Sequence, residues 1–331
     1  MEIVTGTSSA DIMNHSIEEM NEFYTEKAGS LDLYEACHPC DRYIWLALRR
    51  ISTWAIPCAF YKRLKRCEFE KFVQATYVEA FLKCSVKNQI TDEKYQPVHY
   101  GYITDTPDGF IPKGVPESPK KPHLLSVWVK NNPIYTQEQA FARAQCMMFL
   151  TEIDRTLMLT VNTETEEVHS DRLRLTKKIA KDYLDRAIDI CCSDNMPSSC
   201  TDTNHCRMCP YYRFCFETNK TDFINCMSCA RLMVRRDGLY CQKGNSVNLK
   251  ATHFPCHIIN PDLMPWEIVE LTPSNVAYRL ENGRVIYQGD TSFSSEDMMN
   301  GRMETVDKIA TSFNGDIEYT ECYYEDERIP F

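Results

Sequence analysis

Cysteine spacing carries the clearest chemistry in this chain. Cys206-x2-Cys209-x5-Cys215 is the tightest group. Cys226-x2-Cys229 follows, then Cys241, then Cys256 beside His257. Two cysteines separated by two residues reach one metal ion from a single tight turn, which is why that spacing recurs in zinc sites. Isolated thiols such as Cys58, Cys84 and Cys146 read instead as small buried side chains. Two ligand assignments compete. In one, Cys206, Cys209, Cys226 and Cys229 form a zinc ribbon, which strands Cys215, Cys241 and Cys256. In the other, Cys206, Cys209 and Cys215 share a cofactor with a remote fourth cysteine, and Cys226, Cys229 and Cys241 bind zinc with Cys256 or His257. The second uses every cysteine of the module except Cys200 and is preferred. Spacing alone serves iron–sulfur clusters and zinc equally.

Composition sets the surroundings of those thiols. The chain has 331 residues, 43% of them hydrophobic, enough for a sizeable core. It contains no apolar run of about 18 residues, so no transmembrane helix is expected. The N-terminal stretch carries Glu18, Glu19, Glu22 and Glu26 and lacks an apolar signal core, so a cytoplasmic protein is expected. In that setting 17 cysteines point to metal ligation sooner than to disulfides. The net charge of −10 disfavours a broad polyanion binder but allows a locally basic groove. Candidates for one are Ser118–Lys130, with Lys120, Lys121 and Lys130, and Arg172–Lys181, with Arg172, Arg174, Lys177, Lys178 and Lys181. Either run also reads as a plain solvated face.

The elements that must position these groups follow from periodicity. Helices are expected over Asp41–Trp54 and Glu68–Lys83, the latter with Phe69, Phe72, Val73, Tyr77 and Ala80 at helical spacing. Residues 97–112 read as strand and turn around Pro107-Asp108-Gly109. His123–Val129 suits a buried strand, Gln137–Thr151 a helix, and Thr156–Asn162 a strand with alternating Leu157, Leu159 and Val161. Leu175, Ile179, Leu184, Ala187, Ile188 and Cys191 mark a long amphipathic helix. This order indicates a mixed α/β core. A leader over 1–32, a core over 33–195, a cysteine-rich metal module over 196–260 and a small α+β extension over 261–331 are expected. The extension should contain a hairpin around Asn282-Gly283 and a helix over Glu296–Phe313.

The segment Cys37-His38-Pro39-Cys40-Asp41-Arg42-Tyr43-Ile44-Trp45 resembles the cysteine–arginine signature of RecB-like PD-(D/E)XK nucleases that carry an iron–sulfur cluster. Phage-type exonucleases look closer still, because they also carry a second cysteine module like Cys226–His257. The resemblance spans most of Tyr34 to Pro261. It implies a PD-(D/E)XK core, a mixed sheet flanked by helices. It also implies that Cys40, Cys206, Cys209 and Cys215 hold a 4Fe-4S cluster or zinc, while Cys226, Cys229, Cys241 and Cys256 or His257 hold zinc.

In the family a carboxylate on one strand, a Glu-x-Lys pair on the next and a Gln-x3-Tyr helix line one cleft, where the carboxylates hold a divalent metal. Asp108 matches the first carboxylate and Gln145-x3-Phe149 the helical motif. Leu124-Leu125-Ser126-Val127-Trp128 falls where the Glu-x-Lys strand belongs, with Ser126 for the glutamate and Trp128 for the lysine. Lys130 is in phase on the same strand face. A neutral serine is a poor ligand for a hard divalent ion. The resemblance therefore implies a catalytically degenerate nuclease with Asp108, Gln145 and Lys130 as remnants. Its expected partners are DNA ends, single-stranded DNA or a protein of phage or host recombination and repair, in a bacterial cytoplasm. Arg42, Lys120, Lys121 and Trp128 are candidate nucleic-acid contacts. The alternatives are an active Mg- or Mn-dependent exonuclease and a structural metalloprotein without DNA contact. Blander readings stand beside these: Asp108 as a turn former, Gln145 as a helix-edge polar group, Trp128 as a core aromatic and Arg42 as a salt bridge. His99 and His169 are assigned nothing.

Overall fold

The computed structural model describes residues 28–51, 97–130, 136–162, 165, 167–200, 206, 209–218, 221, 225–247, 249, 257–264, 267–271, 275–279, 283 and 285–289. The expected helices over 68–83 and 296–313, and Cys256, lie outside these residues. So does almost all of the acidic leader.

A short helix α1 (Leu33–Ala36) begins with a capping box, Asp32 accepting from the Glu35 N–H and Glu35 accepting from Asp32. Helix α2 (Asp41–Arg49) follows. It ends earlier than the expected Trp54, because Arg50 turns left-handed at φ 52°. That backbone lets the Arg50 guanidinium clamp Glu35 at 2.6 and 3.0 Å and donate to the Ser30 carbonyl. The pair is almost wholly buried. Strands β1 (Val98–Tyr100) and β2 (Ile103–Asp105) form a hairpin, and Leu31 bridges to Ile103, so the residues just before α1 belong to the core.

The central sheet is built from β3 (Gly109–Ile111), β6 (His123–Lys130), β7 (Arg155–Asn162) and β8 (Val168–Arg174), in the order β3-β6-β7-β8. Between β3 and β6, β4 (Gly114–Val115) and β5 (Ser118–Pro119) make a tight hairpin. Only β6 and β7 run parallel, with Leu124 opposite Thr156 and Ser126 opposite Met158. A parallel pair needs a crossover, supplied by α3 (Gln137–Thr151), whose N-terminus is fixed by a Thr136/Gln139 capping box. As the middle strands, β6 and β7 are buried on both faces, which accounts for their nearly continuous apolar sequence. One face packs Ile111, Val115, Leu125, Val127, Leu157, Leu159 and Val161 together. The other places Trp128 and Met158 against Ala140 of α3 and Tyr34.

Helix α4 (Lys177–Cys191) buries Leu184, Ala187, Ile188 and Cys191 of the expected stripe together with Ala180, while Leu175 and Ile179 are half-buried. The large core also includes Tyr211, Phe214, Met227 and Val234, so the cysteine-rich segment packs on the core. That segment contributes a π-helical turn (Phe214–Thr218), a 3-10 turn (Cys226–Ser228) and a hairpin of β9 (Leu232–Arg235) and β10 (Gly238–Cys241). The C-terminal hairpin is present as β12 (Asn275–Arg279) and β13 (Val285–Gly289), joined by an unexpected β11 (Glu267–Leu271). Strand β8 was also unexpected. Its side chains are mostly exposed, so no apolar alternation betrays it. No helix among the described residues is long and apolar enough to cross a membrane. The mixed sheet with helices confirms the α/β class in its coarse form.

Candidate functional site

Asp108 sits in the turn into β3, and one of its oxygens accepts from the Val127 N–H of β6 at 2.9 Å. Its charge is met by Arg143 on α3. Nη1 donates to one carboxylate oxygen at 3.0 Å and Nη2 lies 3.0 Å from the other, a two-point grip. The same guanidinium holds Asp105 through Nε at 3.0 Å and the Thr106 carbonyl through Nη2 at 3.0 Å. Its centre lies 4.8 Å from the ring of Tyr34. Burial works to strip the charge from Arg143, but Asp105 and Asp108 outweigh it and hold the guanidinium well above its ordinary range.

The strand facing this cluster offers no acid. Ser126 and Trp128 are 4% and 7% exposed, on the face of β6 turned toward α3. Ser126 Oγ and Trp128 Nε1 have no hydrogen-bond partner among the described residues. The indole is a core side chain packed against Tyr34, Ala140 and Met158, in keeping with the core-aromatic reading of Trp128. Lys130 is in phase but exposed at the far end of the strand. Gln145 is fully engaged with backbone: Nε2 donates to the Arg174 carbonyl at 3.0 Å and Oε1 accepts from the Thr176 N–H at 2.7 Å. Of the remnant residues, the structure thus joins Asp108 to β6, while Gln145 faces the corner between β8 and α4 instead. Lys120 and Lys121 lie exposed beside the β4–β5 hairpin.

Arg143 and Asp105 escaped the sequence reading. A signal existed, since Arg143 interrupts the small apolar run Ala140 to Met148 of a buried helix. A buried arginine requires carboxylate partners.

The cysteines fall into two neighbourhoods. The Cys40 and Cys215 thiols both act electrostatically on Cys206 and on Cys209, and Cys200 hydrogen-bonds Cys206. Burial pushes the Cys206 and Cys209 thiols up to about 12. Burial also raises Cys215, opposed by Arg42, which hydrogen-bonds its sulfur. Arg42 further donates to the Pro197 carbonyl at 2.7 Å. This guanidinium ties α2 to the cysteine-rich segment.

In the second neighbourhood Cys226 opens the 3-10 turn and Cys229 ends it, and the Arg231 N–H donates to Cys229 Sγ at 3.4 Å. Cys241 closes β10 opposite Leu232. His257 spends Nε2 on the Asn225 carbonyl at 2.9 Å and the Ser228 hydroxyl at 3.2 Å. Burial lowers it to about 4. Nε2 is thus occupied by the turn that carries Cys226. Among the described residues no three His, Cys, Asp or Glu side chains stand close enough together to hold a metal ion. Cys37 and Cys146 form a separate buried thiol pair, 3.9 Å apart.

No protein-family profile matches this chain, and no curated protein matches it. Among solved structures, the chain is similar to the crystal structure of SSO0001, with a TM-score of 0.39 and 10% identity over 60% of this chain and 96% of that one. It is also similar to an alkaline exonuclease (LHK-Exo) from Laribacter hongkongensis. That structure gives a TM-score of 0.32 and 12% identity over 51% of this chain and 90% of the other. The same exonuclease in complex with dAMP gives a TM-score of 0.34 at 12% identity, over the same shares. These are distant likenesses, none of which assigns an activity.

Proposed function

We propose that this chain is a catalytically degenerate nuclease-like protein of the PD-(D/E)XK type, which binds DNA ends or a protein of DNA recombination and repair. The observation that carries the reading is the grip of Arg143 on Asp108, opposite a strand bearing Ser126 and Trp128. A divalent ion in such a cleft needs several oxygen ligands. Here one fixed guanidinium grips Asp105 and Asp108 together, and the strand beside them offers a hydroxyl and an indole. A cation is supplied by the protein itself, so metal activation of water has no place to occur. The reading is tested by incubating the full chain with labelled linear DNA and Mg²⁺ or Mn²⁺. No cleavage is expected, whereas cleavage lost in Asp108→Ala supports the active-exonuclease alternative.

A cysteine-held metal is part of the same proposal. Cys40, Cys206, Cys209 and Cys215 would hold an iron–sulfur cluster or zinc, a role supported by the electrostatic influence of Cys40 and Cys215 on Cys206 and Cys209; the thiols would have to draw closer together to ligate it. Such a group would tie α2 to the segment after α4. Cys226, Cys229 and Cys241 would hold zinc with Cys256 or His257, a structural ion that contributes to folding. Iron, sulfide and zinc analysis of the purified chain tests both assignments. A cytoplasmic location in a phage-infected or lysogenic bacterium belongs to this reading.

A further inference from the structure

Exposed cations from two separate stretches of sequence, Lys120–Lys121 and Arg174–Lys181, meet at one end of the central sheet. The pairing of Leu124 with Thr156 and of Thr156 with Leu173 sets the start of β6 beside the start of β7 and the end of β8. Lys120 and Lys121 come just before β6. Arg174 closes β8 opposite Arg155. Lys177, Lys178 and Lys181 follow on α4. Acids take two neighbours: Glu117 holds Arg172 at 3.1 Å and Asp154 approaches Arg155 at 3.6 Å. Lys120, Lys121, Arg174, Lys177, Lys178 and Lys181 are all exposed, and none makes an ion pair among the described residues. In a chain of net charge −10, such a concentration makes a local positive field.

The corner is also held rigidly. Gln145 pins the backbone on both sides of Leu175, at Arg174 and Thr176. On the other flank Gly114 adopts φ 74°, and a Cβ there would meet the Ser118 and Lys121 carbonyls at 2.4 and 2.5 Å. Lys120 is fixed at φ 69° with its N–H on the Lys113 carbonyl at 3.1 Å. The first turn of α4 has no acidic residue, and its lysines sit where the helix dipole disfavours a cation unless an anion is near.

We propose that this corner is a nucleic-acid backbone-binding surface, with Arg174, Lys177 and Lys178 at its centre, Lys120, Lys121 and Lys181 at its margins and Gln145 as its positioning residue. The choice of duplex DNA as the polyanion rests on the function proposed above, while the surface itself rests on the charges and their fixed backbone.

The test is fluorescence anisotropy of the full chain with a labelled linear duplex, in EDTA and across a KCl series. The triple variant Arg174→Gln/Lys177→Gln/Lys178→Gln is expected to bind about tenfold or more weakly. Its slope of log affinity against log salt should flatten by about 2–3, since each lost phosphate contact removes about 0.9. A control with the same charge change elsewhere, Arg213→Gln/Arg235→Gln/Arg279→Gln, is expected to keep the wild-type slope. Gln145→Leu should weaken binding while leaving the salt slope unchanged, because the charges remain but their placement loosens. Equal losses in the two triple variants, an unaffected corner variant, absence of duplex binding by the wild type, or tighter binding to phosphatidylserine vesicles than to DNA would each overturn the surface. DNA cleavage with Mg²⁺ would instead overturn the degenerate-nuclease reading and leave the surface standing.

Discussion

Arg143 and Asp108 meet through two contacts of 3.0 Å, between the crossover helix and the turn into an edge strand. The guanidinium supplies Asp108 with its counter-charge from within the protein. It also fastens α3 to the sheet, because Asp108 accepts from the β6 backbone at the same time.

Removing the guanidinium should therefore be costly. Arg143→Ala leaves Asp105 and Asp108 without their counter-charge, and a loss of about 3–5 kcal/mol is expected in urea unfolding. Arg143→Lys should recover only part of it, since an ammonium cannot reproduce the fork on two carboxylates. Added Mn²⁺ should raise the midpoint of the alanine variant more than that of the wild type, as the vacated carboxylates gain a cation.

Arg50 and Glu35 make an independent prediction of the same kind. The pair is buried and two-pointed, so Arg50→Met is expected to destabilise by about 3–5 kcal/mol. The double variant Arg50→Met/Glu35→Leu should be more stable than the single one, because it leaves no buried charge unmatched.

His123 sets a pH dependence. Burial lowers its pKa below the ordinary histidine range, and Arg155 and Arg172 push the same way against its bond to the Lys121 carbonyl. The folded state therefore binds a proton less readily than the unfolded chain. The resulting stability is complete above the unfolded value of about 6.5 and is lost as pH falls through the lower folded value. Between pH 7 and 5, His123→Gln should lose less stability than the wild type, measured by chemical denaturation at each pH.

The cysteine assignments separate by element. Cys40→Ser should reduce iron, or zinc if that is the resident metal, without altering the ion at the second site. Cys229→Ser should lower zinc content and thermal stability together. Unchanged metal content in both variants would contradict the ligand sets.

Much of the core was legible because its signals are local. Gln137–Thr151 is a helix over the expected residues, set by its capping box and its run of small and apolar buried side chains. The apolar run from His123 reads as a strand because β6 is buried on both faces. Strand β8 gave no such signal, since an edge strand that is mostly exposed needs no apolar alternation. The helix from Asp41 stopped early because the Arg50 clamp depends on Glu35 and Ser30, which periodicity does not see. At the candidate site, motif spacing located Asp108, Ser126, Trp128 and Gln145, but not their partners. Arg143 lies on another element from Asp108, and that pairing is visible only once the chain is folded. The same holds for Lys120 and Arg174, which belong to different basic runs and meet through strand register.

The central claim is that the metal-dependent cutting site has been closed by the protein's own cation. Its most direct test is the cleavage of end-labelled linear duplex and single-stranded DNA by the purified wild-type chain. The assay should run with Mg²⁺ or Mn²⁺, with EDTA as the blank. The account predicts that product formation with either metal equals the EDTA blank. Metal-dependent cleavage that disappears in Asp108→Ala, while the fold of that variant is kept, would contradict it.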